Sequence, residues 1–131
     1  MRLLLDTHIW LWSLLDPDRL GPRTRAALET PGCELWLSPI TLWETLMLSE
    51  RRRIVLEPDA ETWIRSQLAR LPFHEATFNA EVALASRRLD VASDDPADRF
   101  LAATAQVYDL TLVTADVRLH RIAGVSVLPN S

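Results

Sequence analysis

Apolar residues along the chain fall into short runs and helically spaced sets, and the breaks between them mark the elements. Arg2 to Leu5 is an apolar run that stops at Asp6, the pattern of a strand buried on both faces. Thr7 to Leu15 reads as a helix, yet Ile9, Trp10, Leu11, Trp12, Leu14 and Leu15 are too many apolar positions for one buried stripe. Asp16-Pro17 and Gly21-Pro22 punctuate its end, and Arg23 to Glu29 forms a short surface helix stopped by Pro31-Gly32. Glu34 to Leu37 is a second strand. Ser38-Pro39 then opens a helix running to about Glu50, again apolar nearly all round at Ile40, Leu42, Trp43, Leu46, Met47 and Leu48. Arg51-Arg52-Arg53 is its solvated end, and Ile54-Val55-Leu56 reads as a short strand or an extended connection. Asp59 to Leu71 is an amphipathic helix with Trp63, Ile64, Leu68 and Leu71 on one face, ended by Pro72. Ala76 to Leu89 is another. Asp95 as N-cap and Pro96 at the first helical position open a helix to about Tyr108. Leu110–Thr114 and Val125–Leu128 are the last two strands.

Strands alternating with helices predict an α/β fold, three layers deep, with a central mainly parallel sheet. At 131 residues, with no repeat, low-complexity segment or linker, the expectation is a single domain over residues 1–131. In such folds, function sits outside the carboxyl ends of the strands. Asp6 and Asp116 stand at such ends.

Composition narrows the chemistry. All fourteen basic residues are arginine, so the lysine that a P-loop or a Schiff base requires is absent. The lone Cys33 excludes an internal disulfide and fits a reducing cytosol. The apolar stretch Met1–Leu15 is interrupted by Asp6 and His8 and lacks a signal-peptide cleavage site, and nothing reaches the length of a membrane span. The chain is expected to be cytoplasmic, with no membrane partner. A net charge of −4 argues against a broad basic grip on nucleic acid.

Four acids then stand out: Asp6 and Asp116 after strands, Asp98 in the first turn of a helix, and Glu44 about one turn inside another. Asp98 also has a plain reading as the third-position partner of a helix cap. If the four converge, their mutual repulsion demands protonation or a cation, and hard divalent ions such as Mg²⁺ or Mn²⁺ take carboxylate oxygens. A carboxylate-only metal site suits phosphodiester hydrolysis, because the metal acidifies water and stabilises charge on the leaving oxygen. On this reading Asp6 and Asp98 are the central ligands, Asp116 completes the site directly or through water, and Glu44 ligates or orients the attacking water. Asp95 keeps the capping role. Thr114 shares a strand face with Asp116, so its hydroxyl either holds a carboxylate or water or is simply that of a β-former. Arg99 either touches a phosphate or pairs with nearby acids. His8 is assigned a supporting or structural role, since His74 and His120 offer no zinc spacing.

The words Leu3-Leu4-Leu5-Asp6-Thr7-His8-Ile9-Trp10, Ser38-Pro39-Ile40-Thr41-Leu42-Trp43-Glu44, Asp95-Pro96-Ala97-Asp98-Arg99 and Leu112-Val113-Thr114-Ala115-Asp116, in this order, resemble the PIN-domain ribonucleases, specifically the VapC-type toxins of toxin–antitoxin pairs. The resemblance covers nearly the whole chain. It implies a PIN fold, a Mg²⁺- or Mn²⁺-dependent endoribonuclease acting on RNA, and inhibition by a small cognate antitoxin. The family's acidic quartet maps onto Asp6, Glu44, Asp98 and Asp116, and its supporting hydroxyl onto Thr114. The over-apolar helices then predict that parts of Ile9–Leu15 and Leu42–Leu48 form a groove for an antitoxin helix, with another patch supporting a homodimer. A catalytically silent PIN-fold module for binding RNA or protein is the alternative, and its mark is a missing acid. Aspartyl-phosphate enzymes built on Asp6 fit poorly, because they want a second Asp at the position of His8 and a later lysine.

Overall fold

In the computed structural model, which describes residues 1–131, every strand pairing is parallel. The strands are β1 (Arg2–Leu5), β2 (Glu34–Leu37), β3 (His74–Glu75), β4 (Thr111–Thr114) and β5 (Ser126–Pro129), in the spatial order β3-β2-β1-β4-β5. The helices are α1 (Thr7–Leu15), α2 (Pro22–Glu29), α3 (Pro39–Glu50), α4 (Ala60–Arg70), α5 (Ala80–Arg88) and α6 (Pro96–Tyr108). The chain builds outward from β1 through β2 and β3, then returns to the other side of β1 for β4 and β5. The β1–β4 seam is therefore the topological switch point, where a parallel sheet opens a crevice at its carboxyl ends.

Pleating sends alternate residues of the central strands into separate cores. Leu4 and Leu112 join Val82, Ala85, Leu101 and the alanines of α6 on one face. Leu3, Leu5, Leu37 and Val113 join Ile9, Trp10, Leu11 and Ile64 on the other. The expected three-layer α/β/α arrangement results. The α5–α6 core is sealed, with fourteen buried members and only four partly buried hydrophobics against it. The opposite core is only half covered, with nine buried members and fourteen partly buried ones.

Helix starts follow their caps. Ser38 Oγ accepts from Ile40 N at 3.1 Å, Asp59 Oδ1 from Thr62 N at 2.8 Å, and Asn79 Oδ1 from Val82 N at 3.0 Å. At its far end α6 closes with Asp109 in the left-handed region (φ 54°), and Leu110 N donates back to Ala105 O at 2.8 Å, which turns the chain directly into β4.

Departures from the sequence reading have local causes. The two-residue β3 has no apolar run to announce it. Ala76 donates its N–H to Leu37 O at 2.8 Å, which prolongs the β2–β3 pairing, so α5 begins only at Ala80, behind the Asn79 cap. Ile54–Leu56 is the irregular connection, not a strand, although Leu56 is buried. The predicted groove is smaller than the apolar pattern implies: Ile9, Trp10 and Leu11 belong to the core, so α1 offers only Trp12, Leu14 and the exposed Leu15. On α3, Leu42, Leu46, Met47 and Leu48 are partly covered and Trp43 is exposed.

Ala102, Ala103 and Ala105 of α6 are buried to within 1% of complete, so the helix lies close to the sheet. Ala103→Leu is expected to overpack this contact and cost about 1–3 kcal/mol. Val107→Leu on the same helix's exposed face is expected to change stability by less than about 0.5 kcal/mol. Urea denaturation of the two variants measures the difference.

Candidate active site

Asp6 leaves β1 at the switch point and is held from three sides. Its backbone N donates to Val113 O across the β1–β4 seam at 3.0 Å. Its carboxylate accepts from Thr7 N at 2.7 Å and from the Thr114 hydroxyl at 2.6 Å. Thr114 Oγ1 also accepts from Asp116 N at 3.1 Å, so one hydroxyl ties together the acids at the ends of β1 and β4. The sequence left Thr114 between a carboxylate holder and a plain β-former, and the geometry selects the first.

Glu44 reaches the same place from α3, where the Thr7 hydroxyl donates to its Oε1 at 2.5 Å. Asp98 reaches it from the first turn of α6, and the buried Ser93 donates to its Oδ2 at 2.5 Å. Asp95 does the capping, with Oδ1 accepting from Ala97 N at 3.0 Å, which leaves the Asp98 side chain free of that duty. Asp6, Glu44, Asp98 and Asp116 thus share one open cleft of about 420 Å³, rimmed also by His8, Trp12, Arg19, Asp95, Ala115 and Arg118.

Crowding is visible in the acid–base behaviour. Burial raises the pKa of Asp6 against the pull of its Thr114 hydrogen bond, and it raises Asp98 against that of Ser93. Glu44 is pushed up to about 7, chiefly by burial, with Asp6, Asp95 and Asp98 adding repulsion. Asp116 goes the other way. Arg118 donates to it through Nε at 3.0 Å and Nη2 at 2.7 Å, which lowers its pKa, and Nη2 also lies 3.5 Å from Asp98 Oδ2. One guanidinium therefore spans two of the four carboxylates.

The donor set fits a hard divalent cation. It is all oxygen, it carries excess negative charge in a partly desolvated cleft, and a positive group already lies between two of its members. No three acids, histidines or cysteines close around a single point. The carboxylates ring the space instead, which suits an ion such as Mg²⁺ that retains several waters.

Arg99 is a correction. Its guanidinium donates to Ser86 O at 2.9 Å and Leu89 O at 3.1 Å, satisfying carbonyls at the end of α5, and it does not line the cleft. Its adjacency to Asp98 in sequence is misleading, because neighbours on a helix point about 100° apart. Thr7, Ser93 and Arg118 are neighbours of the acids that the sequence alone does not assign. Thr7 carried a signal in its position beside Asp6; Ser93 and Arg118 are matched to their acids only by the folded loops.

Residues 3–125 match the family model described as PIN domain. Ribonuclease VapC22 of Mycobacterium tuberculosis is 34% identical to this chain over 120 residues, which cover 89% of this chain and 88% of the relative. Among solved structures, VapBC2 from Rickettsia felis, bound to a DNA fragment from its promoter, is similar with a TM-score of 0.71 at 17% identity over 98% of each chain. DNA-bound VapBC from Salmonella typhimurium gives 0.70 at 19% identity, covering 100% of this chain and 99% of that one. At these identities the structural likeness establishes a shared fold.

The raised Glu44 yields a signed pH dependence. Below pH 4.5, its ordinary value, Glu44 is protonated in both folded and unfolded chains and carries no penalty. As pH rises through 4.5 towards about 7 the unfolded chain ionises first, and stability is lost. Glu44→Gln keeps the acceptor for Thr7 but removes the charge. In thermal melts with chelator, its advantage over the parent protein is expected to grow from near zero at pH 4.5 to a plateau above pH 7. An advantage independent of pH would contradict the assignment.

Proposed function

The chain belongs to the PIN-domain family, in the company of the VapC ribonucleases, and on that premise we propose that it is a divalent-metal-dependent endoribonuclease and the toxin of a toxin–antitoxin pair. The observation that carries the reading is the convergence of Asp6, Glu44, Asp98 and Asp116 from four different elements on the crevice at the switch point. A silent binding module would be free to lose an acid, and all four are present.

Asp6 and Asp98 would be the central ligands for Mg²⁺ or Mn²⁺, with Asp116 completing the set directly or through water. When bound, the cation supplies acidity to water and charge stabilisation to the phosphodiester. The chain's own residues do the rest. Thr114 and Thr7 hold Asp6 in one orientation, and Ser93 does the same for Asp98. Glu44 would accept a proton from the attacking water and keep that water in line. The water oxygen would bond to phosphorus as the P–O bond to the leaving RNA strand breaks, and the leaving oxygen would take up a proton from solvent.

The half-covered core supports the antitoxin. Apolar side chains on the α1–α4 side of the sheet, among them Leu14, Leu28, Leu35 and Phe73, line an open cavity of about 250 Å³ that a partner's apolar helix can fill. A separate pocket of about 280 Å³, lined by Ile40, Trp43, Pro96 and Phe100, is the patch assigned to a homodimer. No helix is long and apolar enough to cross a membrane, in keeping with a toxin that meets RNA in the cytoplasm.

Asp6→Asn and Asp98→Asn are each expected to reduce RNA cleavage by more than about 100-fold while leaving the circular dichroism spectrum unchanged. Chelator should mimic them and added Mg²⁺ or Mn²⁺ should reverse it. Expression without the antitoxin should arrest growth, and the same variants should relieve the arrest. Cleavage that survives in either purified variant would refute the assignment.

A further inference from the structure

The cleft has a second wall that the four acids do not account for. His8 and Trp12 from α1, and Arg19 from the 3-10 turn at Pro17–Arg19, line the same space as the carboxylates. The Arg19 guanidinium lies over the Trp12 ring, 4.5 Å from its centroid, and His8 packs against the same ring at 5.8 Å. The two cleft arginines are in opposite states. Arg118 is committed to Asp116 and Asp98, whereas the Arg19 guanidinium forms no ion pair or hydrogen bond. Its acidic neighbour Asp18 is taken by Arg25 at 3.1 Å.

Arg19 is nonetheless fixed in place. Its N–H donates to Asp16 O at 3.1 Å, and its carbonyl accepts from Asn130 Nδ2 at 3.0 Å. Asn130 Oδ1 in turn accepts from Gly21 N at 2.9 Å, so the turn is pinned to the residue that follows β5. A guanidinium seated over an indole, with no ion pair or hydrogen bond of its own, keeps its N–H groups free, and that fork matches phosphate oxygens. An acidic cleft that must admit a polyanion needs such a group, and Arg118 is already spent on carboxylates.

We propose that Arg19, seated over Trp12, grips a phosphate of single-stranded RNA next to the scissile one and sets the strand's path across the acids. The inference rests on the endoribonuclease reading and deepens it. Its signature is electrostatic: each phosphate neutralised on a single strand contributes about 0.7 to the slope of log affinity against log salt.

The test is kcat/KM for a short single-stranded RNA, measured with Mg²⁺ across a salt series on the full chain. Arg19→Ala is expected to lose about 10-fold or more at low salt and to flatten the slope by about 0.7. Arg19→Lys, which keeps the charge but not the bidentate fork, should retain the slope with a partial loss. Arg65→Ala, on the exposed outer face of α4, is the control and should match the parent protein. Equal salt slopes for the parent and Arg19→Ala would overturn the inference, whether or not the rate falls, because a merely structural role does not change the count of phosphates. Absence of cleavage by the parent protein at every salt would overturn the endoribonuclease reading and the inference with it.

Discussion

Four carboxylates at one end of a parallel sheet repel one another, and much of the surrounding structure answers that repulsion. Parallel pairing of β1 with β4 brings Asp6 and Asp116 to the same edge with no adjustable loop between seam and acid. Hydroxyls then hold three of the side chains: Thr114 and Thr7 donate to Asp6 and Glu44, and Ser93 donates to Asp98. A hydroxyl is the economical donor here, because it satisfies one oxygen without contributing the positive charge that would replace a metal. Asp6 and Asp98 remain harder to ionise than free aspartates even so. Unmet negative charge of this kind is what a cation entering the cleft would neutralise.

The two cores divide the labour. The α5–α6 side is sealed by alanines that allow close approach to the sheet, and it anchors the helix that carries Asp98. The α1–α4 side holds the other acid-bearing helix, α3, yet leaves many apolar side chains half covered. A partner seated there would touch the helices that border the cleft. Inhibitor binding and catalytic geometry would then be joined through packing, with no long relay.

What the sequence made legible was local. The β1 run, the Ser38-Pro39 and Asp95-Pro96 starts, and the acids at strand ends are written within a few residues of where they act, and the structure places them as read. The misses are of another kind. The two-residue β3 exists only because β2 lies beside it, and Ala76 was drawn from helix into sheet extension by Leu37, thirty-nine positions earlier. Ser93 and Arg118 meet Asp98 only after loops fold, and Arg99, next to it in sequence, turns away to finish α5. The Trp12–Arg19 wall joins a helix to a turn beyond its end, and no periodicity marks that meeting.

A small metal-bound domain often cannot fold until its ion is present, because the ligands repel or go unsatisfied without it. Here the guanidinium that spans Asp116 and Asp98 serves as an internal counter-ion and offsets part of the repulsion among the acids. One positive charge is thus supplied from within the fold, at the strand end where the sheet reverses its order, and the cleft's remaining excess of negative charge is smaller than its four acids alone would give.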